Sequence, residues 1–340
     1  MISDIGIDLG TYKTTIFSDS KVILELPSVV TVNSETYEPL YFGEMAQKTL
    51  GRTPDSLISI YPIENGMISD YDIAEAMLRK YMSDAFGNKV LRPRIMATLP
   101  PGLTQLQYHS LSTVIEGAGG RNISVMESPL AVAYGLELDF DKPHGYLIVD
   151  IGAGTTDIAV ISMGGIVNSD SFKTGSFAFD DQIIKFVRKD YNIEIGKLTA
   201  EKIKKEIGSL ISREVEVAIN AKGRNILTGL PEMFEITTDD VFECIKETAE
   251  QICAAIKAVI SKTEPDLLAD IKEDGLYLTG GGSLLSGFAE YISDYLELKV
   301  NKVDDPTHSV VRGAAMVLRS PDFNKNNDYQ MRSIKELEIN

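Results

Sequence analysis

Residues 147–161 read LIVDIGAGTTDIAVI, in which two aliphatic runs flank a segment of acidic, glycine and hydroxyl residues. The aliphatic runs predict two buried β-strands and the glycines between them predict a tight turn, so we expect a β-hairpin here. Neither strand needs a carboxylate or paired threonines for its own formation. Asp150 and Thr155 therefore make this turn a candidate functional site.

Residues 5–17, IGIDLGTYKTTIF, follow the same plan. An aliphatic run is followed by Asp8, one apolar residue, Gly10, small or hydroxyl residues and a second apolar run, which again predicts a hairpin. A little under half of the chain separates the two stretches. We therefore expect two related domains in this chain of 340 residues, each presenting one hairpin to a shared cleft.

The rest of the chain alternates between strand and helix signals, which places it in the α/β class. Strands are predicted at 92–101 and 275–280. Helices are predicted at 103–119, from Pro129 onwards, near 178–191, near 199–212, near 238–262 and at 309–319. From about Ser320 the polar sequence predicts a mobile tail.

The two predicted turns have the composition of phosphate-binding loops. Glycines let backbone N–H groups face a ligand with no Cβ in the way, and hydroxyl groups add donors. The first turn offers Gly10, Thr11, Tyr12 and Lys13, and the second offers Gly152, Ala153, Gly154, Thr155 and Thr156. A polyphosphate fits between two such loops, and Lys13 adds a full positive charge.

Asp8 and Asp150 precede the two turns, where they would repel a phosphate unless a cation lies between. Mg²⁺ uses oxygen ligands, keeps several waters and takes one or two carboxylates from a protein. The pair therefore predicts a magnesium site held through water. The alternative is that each hairpin uses Asp and Gly for its conformation alone, and the matched pair favours the metal.

Two further segments offer candidate ligand-binding residues. In LTGGGSLL (278–285), three glycines let a flat ligand such as a purine base lie against the backbone, with Ser283 as the N-cap of a helix. These glycines are Gly280, Gly281 and Gly282. In TAEKIKKEIG (199–208), Glu201 faces Lys204 and Lys205 on one helix, either as part of the site or as a surface ion pair.

The segment VMESPLAVAYGL (125–136) predicts a strand that ends at Glu127, with Ser128 as a helix N-cap and Pro129 at the first helical position. A carboxylate here, opposite the second hairpin, would orient a water towards a terminal phosphate. Alternatively, Glu127 only interacts favourably with the positive end of the helix. The residues alone leave both interpretations open.

The formal net charge of −17 disfavours nucleic acid as a partner, because phosphate backbones are bound by clustered Lys and Arg. No apolar run reaches the length of a membrane span. Cys244 and Cys253 fall on one predicted helix and are too far apart for a disulfide. The sequence shows no cluster of metal-ligating His and Cys, and a reducing cytoplasm is the expected compartment.

Five segments together resemble the signature motifs of the actin-like ATPase superfamily: GIDLGTYKT, MESPLAVAYG, VDIGAGTTDIAVI, LTGGGSLL and DPTHSVVRGAAMVL. Within it, residues 51–73, 199–208 and 223–237 are similar to the MreB family of bacterial actin homologues. AYGLE together with VDIGAGTTDI is also similar to the magnetosome filament protein MamK. The resemblance runs from about residue 4 to 319.

The resemblance implies an actin-like fold, with two related lobes around a nucleotide cleft and four subdomains. The expected bounds are 1–31 with 67–141 and 306–325 for subdomain IA, 32–66 for IB, 142–178 with 250–305 for IIA, and 179–249 for IIB, followed by a flexible tail at 326–340.

The resemblance also implies ATP or ADP with Mg²⁺ in the cleft. Phosphate would meet the two turns, Glu201 and Lys204 would approach the ribose or base, and Gly280 to Ser283 would approach the adenine. Thr155 would help to position the attacking water, and Glu127, one residue before the family's catalytic position, is the expected catalytic carboxylate in this chain. Subunits of the family polymerise head to tail with ATP, and hydrolysis weakens the polymer.

Three departures from the family pattern bear on turnover. MreB usually reads Glu-Glu-Pro where this chain has Glu127-Ser128-Pro129, so the position taken as catalytic in the family is Ser128. Lys13 stands where the first turn normally has Asn, and Gly175-Ser176-Phe177 replaces Gly-Gly-Asp. We expect nucleotide binding to tolerate these changes better than hydrolysis does, so turnover is expected to be slow.

The segment NKVLRPRI (88–95) is similar to an apolar loop that some MreB proteins insert into the membrane, with Val90 and Leu91 flanked by basic residues. Two apolar residues bury little area, so their insertion would contribute about 2–4 kcal/mol of membrane-binding free energy per subunit. A filament would multiply this contribution through avidity. The alternative is that the segment is the plain start of the following strand.

The expected function is that of an ATP-hydrolysing filament protein for cell shape. Its expected partners are further copies of itself, the inner face of the membrane and membrane-bound morphogenesis or organelle proteins. Three alternatives stay open: a MamK-like filament that positions an organelle or cargo, a weakly hydrolysing adaptor resembling FtsA, and a monomeric kinase of the same fold.

Overall fold

The computed structural model describes residues 4–87, 94–211, 216–319 and 332–333. The strands are β1 Ile5–Leu9, β2 Lys13–Ser18, β3 Lys21–Pro27, β4 Val30–Asn33, β5 Pro39–Phe42, β6 Leu57–Ile60, β7 Ile63–Glu64, β8 Met67–Ile68, β9 Ile95–Leu99, β10 Ile123–Glu127, β11 Tyr146–Ile151, β12 Thr156–Ser162, β13 Gly165–Phe172, β14 Ile193–Glu194, β15 Ala218–Asn225, β16 Pro231–Thr237, β17 Leu276–Thr279, β18 Val300–Lys302 and β19 Arg332–Ser333. The helices are α1 Glu44–Thr49, α2 Tyr71–Phe86, α3 Gln105–Gly117, α4 Ser128–Gly135, α5 Ser176–Asp190, α6 Lys197–Ile207, α7 Thr238–Ser261, α8 Pro265–Asp274, α9 Phe288–Leu296 and α10 Ser309–Val317, with a 3-10 turn at Gly281–Leu284.

The two largest sheets repeat one arrangement. Their strand orders are β19-β10-β9-β1-β2-β3 and β13-β12-β11-β17-β18. In each sheet an antiparallel meander, β1-β2-β3 or β11-β12-β13, is extended on the side of its first strand by two parallel strands, β9 and β10 or β17 and β18. The two predicted hairpins therefore start two related units.

Each large sheet has its own apolar core, because its aliphatic runs are covered by amphipathic helices. The six-stranded sheet packs against α2 and α3, and with β4 and β7 it forms what we call the first lobe. The five-stranded sheet packs against α5, α6, α7 and α9, and with β14 and β16 it forms what we call the second lobe.

Helices α4 and α10 lie between the lobes. They pack on each other and share a buried cluster with strands β9 and β10 of the first lobe and β11 and β12 of the second. Gly313 allows the close approach of the two helices, because a Cβ there would lie 1.8 Å from the carbonyl oxygen of Ala131. The helix pair thus joins the two sheets on either side of one cleft.

The structure corrects two of the predicted helix ends. Helix α6 ends at Ile207, before the predicted 212, because Gly208 has an extended backbone with φ −61° and ψ 129°. Ser128 is not the N-cap of α4: Glu127 occupies the N-cap position, Ser128 is the first helical residue, and its hydroxyl donates to the Leu99 carbonyl at 3.1 Å.

No helix within the described ranges is long and apolar enough to cross a bilayer. Cys244 and Cys253 both lie in α7 and are free thiols, as predicted. Val90 and Leu91 of the predicted membrane loop lie outside the described residues, as does nearly all of the predicted tail at 326–340.

Candidate nucleotide site

The first turn spans Gly10 to Lys13, between β1 and β2. The Gly10 N–H donates to the Lys13 carbonyl at 3.1 Å and closes the turn. A Cβ at Gly10 would lie 2.8 Å from that carbonyl oxygen, so the turn needs glycine. Ser28, just after β3, holds two further carbonyls: its N–H donates to Tyr12 at 2.9 Å and its hydroxyl to Gly10 at 2.7 Å.

The second turn spans Gly152 to Thr155 and has the same backbone geometry. The Gly152 N–H donates to the Thr155 carbonyl at 2.8 Å. The start of α5 holds the other carbonyls, because the Ser176 N–H donates to Gly152 at 2.9 Å and the Phe177 N–H donates to Ala153 at 3.0 Å. Each turn thus has its carbonyls engaged by the segment that follows the third strand of its meander.

The N–H groups at the tips of both turns remain available for an anion. Within the described part of the chain, the N–H groups of Thr11, Tyr12, Ala153 and Gly154 donate to no protein acceptor. Successive N–H groups of this kind form a concave site for phosphate oxygens. This observation supports the predicted phosphate contacts on both sides of the cleft.

The two turns face one cavity of about 610 Å³ between the lobes, a volume typical of small-molecule sites. Most of the predicted site residues line it: Asp8, Gly10, Thr11, Tyr12, Lys13, Asp150, Gly152, Ala153, Gly154, Thr155, Glu201, Lys204, Gly280, Gly281 and Gly282. Three predicted residues, Glu127, Thr156 and Ser283, lie outside the wall of this cavity.

Three carboxyl groups line the cavity beside the turns: those of Asp150 and Asp157, which are buried, and that of Asp8, which is half-buried. Asp150 and Asp157 face each other across the second hairpin. Burial raises the pKa of Asp150 well above its ordinary value, and the charges of Asp157 and Asp8 raise it further. Burial also raises the pKa of Asp157 to about 7, although hydrogen bonds from Ser171 and Thr155 lower it in part.

Asp8 has the same kind of environment. Burial raises its pKa, while a 3.1 Å hydrogen bond from the Thr98 hydroxyl and the charge of Lys13 oppose the rise. A cation among these carboxylates would remove their mutual repulsion and favour their ionised forms. The donor set therefore fits Mg²⁺.

Indirect ligation of that ion stays a prediction. In the described part of the chain, no three Asp, Glu, His or Cys side chains form a group that could hold a metal. Mg²⁺ commonly keeps several waters and takes its remaining ligands from one or two carboxylates and the substrate phosphates. Asp8 and Asp150 are thus suited to hold it through its water shell.

Lys13 belongs to a charged network at the edge of the cavity. Its ammonium donates to Glu25 Oε2 at 2.5 Å, and His308 Nε2 lies 2.6 Å from the same oxygen. Asp305 contacts the other ring nitrogen of His308 at 2.8 Å. Burial alone would raise the pKa of Glu25, but the hydrogen bonds from Lys13 and His308 outweigh it and the pKa is lowered.

The glycine segment after β17 forms an open part of the wall. Gly280 has a φ of +86°, and a Cβ there would lie 2.3 Å from Asp150 Oδ1. A Cβ at Gly281 would meet no atom within 4 Å, so a flat ligand has room there. Ser283 is not the predicted N-cap: it lies inside the 3-10 turn, its hydroxyl donates to the Gly280 carbonyl at 2.7 Å, and α9 begins only at Phe288.

Helix α6 places Lys205 as predicted, but not Lys204. Lys205 pairs with Glu201 at 2.7 Å, the ion pair expected one helical turn apart. Lys204 does not face Glu201: it lies on the buried face of α6 and donates to Asp180 Oδ2 at 2.8 Å and to the Ser176 carbonyl at 2.9 Å. Burial raises the pKa of Asp180 to about 6, with the charge of Lys204 opposing the rise.

Glu127 ends β10 and is buried, with 8% of its surface exposed. Its Oε1 accepts a hydrogen bond from the Gly102 N–H at 3.3 Å. Its neighbour Ser128 lines the cavity. The charge of Glu127 contributes to the raised pKa of Asp157, so the two carboxyl groups interact.

Sequence reasoning missed Asp157, Thr98 and the pair of Glu25 with His308. The register of the predicted hairpin was a usable signal for Asp157, since it places that residue opposite Asp150. Thr98 lies on β9, whose pairing with β1 depends on the tertiary fold. Glu25 and His308 are 283 positions apart and carry no local signal.

Comparison with known proteins identifies the family. The family model for MreB/Mbl protein matches residues 2–326. The chain belongs to the MreB/Mbl family. The cell shape-determining protein Mbl of Bacillus cereus is 36% identical to it over 321 residues, which are 94% of this chain and 96% of that protein.

Two solved structures confirm the fold. The crystal structure of MreB5 of Spiroplasma citri bound to ADP matches with a TM-score of 0.90 at 30% identity, over 96% of this chain and 99% of that one. The MamK double helical filament matches with a TM-score of 0.77 at 22% identity, over 94% and 99% of the two chains, and shows the fold alone. The predicted actin-like fold and the resemblance to MreB are confirmed.

Proposed function

We propose that this chain binds ATP with Mg²⁺ in the cleft, hydrolyses it to ADP and phosphate, and polymerises head to tail into filaments that act in cell-shape determination. The observation that supports this most is the pair of matched turns, one from each lobe, that face one cavity beside Asp8 and Asp150. MreB5 of Spiroplasma citri, similar over 96% of this chain, has been crystallised with ADP and with AMPPNP.

Each part of the cavity has a proposed role. The N–H groups of the two turns and the Lys13 ammonium bind the phosphates. Glu201 and Lys204 border the ribose or base, and Gly280 to Gly282 give the adenine room. Asp8 and Asp150 hold Mg²⁺ through water, and the ion, when bound, neutralises charge on the phosphoryl oxygens.

Hydrolysis requires a water molecule oriented towards the terminal phosphate. We assign this to Thr155, which lines the cavity, together with Glu127, which interacts with the cavity carboxylates from outside its wall. Asp157 is a third candidate, because its carboxyl group lines the cavity and faces Asp150 across the second hairpin. Ser128 replaces the family carboxylate at the cavity wall, and slow turnover follows from that replacement.

The family membership favours a filament for cell shape over the alternatives. The relative from Bacillus cereus is named for cell-shape determination. The MamK match supports only the fold, so an organelle-positioning role has no separate support. Location in the cytoplasm, contact with the inner face of the membrane through Val90 and Leu91, membrane-bound partners and the four subdomain bounds stay predictions.

High-speed sedimentation with ATP, with ADP and without nucleotide, combined with phosphate release, tests this proposal. We expect the protein to pellet with ATP and Mg²⁺ and to release phosphate slowly. A protein that stays in the supernatant under all three conditions is no filament former, which would leave the adaptor or the monomeric kinase. Phosphate release at the wild-type rate by Glu127→Ala would remove Glu127 from the mechanism.

A further inference from the structure

Three aromatic rings meet across the gap between the lobes. Tyr12 lies in the first turn and Tyr61 follows β6, both in the first lobe, whereas Phe177 is the second residue of α5 in the second lobe. The Phe177 ring centre lies 5.9 Å from that of Tyr12 and 6.5 Å from that of Tyr61, with interplanar angles of 77° and 76°. We call Tyr12, Tyr61 and Phe177 the aromatic cluster.

Two lysines of α6 extend the contact between the lobes. Lys197 Nζ lies 5.8 Å from the ring centre of Tyr61 and 5.9 Å from that of Phe177. Lys205 Nζ lies 5.8 Å from the ring centre of Tyr12. Edge-to-face ring pairs and cation–π contacts are both attractive, so these contacts favour the arrangement with the lobes together.

The aromatic cluster is attached to both phosphate-facing turns. Tyr12 is part of the first turn, and the Phe177 N–H donates to the Ala153 carbonyl of the second at 3.0 Å. The approach of α5 to that turn depends on Gly175, because a Cβ there would lie 2.5 Å from the Ala153 carbonyl oxygen. Tyr12 and Phe177 line the cavity, while Tyr61 lies behind Phe177 beside a smaller pocket.

We propose that the aromatic cluster is a latch that must open before a nucleotide enters or leaves the cleft, so that it sets the rate of nucleotide exchange. The proposal rests on the proposed function, because it concerns the regulation of the same site. The latch contacts join the two lobes to each other, so they act on the opening of the cleft and not on the nucleotide directly. Weakening them should therefore speed association and dissociation together, whereas loss of a direct ligand contact speeds dissociation alone.

The test uses Tyr61→Leu and Phe177→Leu in the full chain. Association and dissociation of a fluorescent ADP analogue with Mg²⁺ are measured by stopped-flow fluorescence. We expect both variants to release the analogue about tenfold faster and to bind it faster as well, while the Kd changes by less than about threefold. Tyr61→Leu is the more informative variant because Tyr61 does not line the main cavity.

A matched control lies on the same helix. Phe186 forms an edge-to-face pair with Tyr191 at 6.1 Å and 69°, and both residues belong to the second lobe. Phe186→Leu removes a comparable ring pair that does not cross the gap, so its exchange rates should equal those of the wild type. Wild-type rates in both test variants would overturn the latch, and so would faster dissociation with unchanged association.

Hydrogen–deuterium exchange without nucleotide separates the latch from the proposed function. We expect the peptides that contain the two turns to exchange faster in Tyr61→Leu and Phe177→Leu than in the wild type or in Phe186→Leu. If the wild type binds no nucleotide but the turns still exchange faster in the variants, the aromatic cluster still controls the opening of the cleft, while the proposed nucleotide function fails. Unchanged exchange at both turns would overturn the latch whether or not nucleotide binds.

Discussion

The two glycine turns share one backbone geometry and differ in their side chains. In each turn the N–H of the first glycine, Gly10 or Gly152, donates to the carbonyl of the residue three positions later. The first turn then carries Tyr12 and Lys13, while the second carries Gly154 and a threonine at the matching positions. One turn thus supplies charge and an aromatic ring, whereas the other supplies space for close approach.

The space at Gly154 is occupied by the first lobe. A Cβ there would lie 2.8 Å from Thr11 Oγ1 and 3.0 Å from the Cα of Asn65, at the tip of the β7-β8 hairpin. The Thr11 hydroxyl in turn accepts a hydrogen bond from the Gly66 N–H at 3.1 Å. The second turn therefore fits against the first only because its tip has no side chain.

Filling the space at Gly154 should cause the largest loss of affinity for ATP. Gly154→Val places methyl groups against the backbone of Asn65, so the turns cannot approach and the affinity for ATP should fall about 100-fold, or about 2.7 kcal/mol. Gly196→Ala is the control, because a Cβ at Gly196 meets no atom within 4 Å. Calorimetric titration measures both, and wild-type affinity in Gly154→Val would show that the turns need no such contact.

The second difference concerns the strands beside the turns. Asp157 faces Asp150 across the second hairpin, whereas Thr15 faces Asp8 across the first. Because the folded pKa of Asp157, about 7, lies above its ordinary 3.8, the folded chain binds this proton more tightly than the unfolded chain. The resulting stabilisation is complete below about pH 4 and is lost as the pH rises to 7.

We therefore expect Asp157 alone to lower the free energy of unfolding, measured by urea titration without nucleotide or Mg²⁺, by about 3 kcal/mol between pH 4 and pH 7. Asp157→Asn should reduce this dependence without abolishing it, because Asp8, Asp150 and Asp180 also have raised pKa values in the folded chain. Thr15→Val should preserve it, because it removes only a hydroxyl from the matching position of the first hairpin. An equal slope in Asp157→Asn and the wild type would show that another group titrates.

Removing the charge of Lys13 from the first turn should cause the smallest loss, and the quantity affected is again the affinity for ATP. Lys13→Met removes the ammonium but keeps the backbone of the turn, so ATP affinity should fall about fivefold, or about 1 kcal/mol, and ADP affinity by less. Part of the charge is already engaged by Glu25, which limits the loss. Lys21→Met, an exposed lysine of β3, is the control, and equal losses in the two variants would mean that Lys13 acts only through net charge.

Much of the fold was predictable because its signals are local. The two hairpins are visible as aliphatic runs around glycine turns, and the resemblance of five ordered segments led to the actin-like fold. The predicted ends of α6 and the predicted N-cap role of Ser283 were wrong, since short polar and glycine segments permit several turn geometries. The predicted contact of Lys204 with Glu201 was wrong, because the i, i+3 spacing does not say which face of a helix is buried.

The site was predictable where one segment contains the whole signal. The glycines of the two turns, together with Asp8 and Asp150, all line the cavity. The network of Lys13, Glu25 and His308 was not predictable, because it joins segments that only the tertiary fold brings together. The contact of Tyr12 with Phe177 escaped prediction for the same reason, although Phe177 was visible as a departure from the family pattern.

The most direct test of the central claim is calorimetric titration of ATP into the nucleotide-free protein, with and without Mg²⁺, in the wild type, Asp8→Asn and Asp150→Asn. The account predicts one ATP per chain, tighter binding with Mg²⁺, and a smaller gain from Mg²⁺ in each variant, because both hairpins contribute a carboxylate to one metal site. No binding by the wild type with Mg²⁺, or an undiminished gain from Mg²⁺ in both variants, would contradict it.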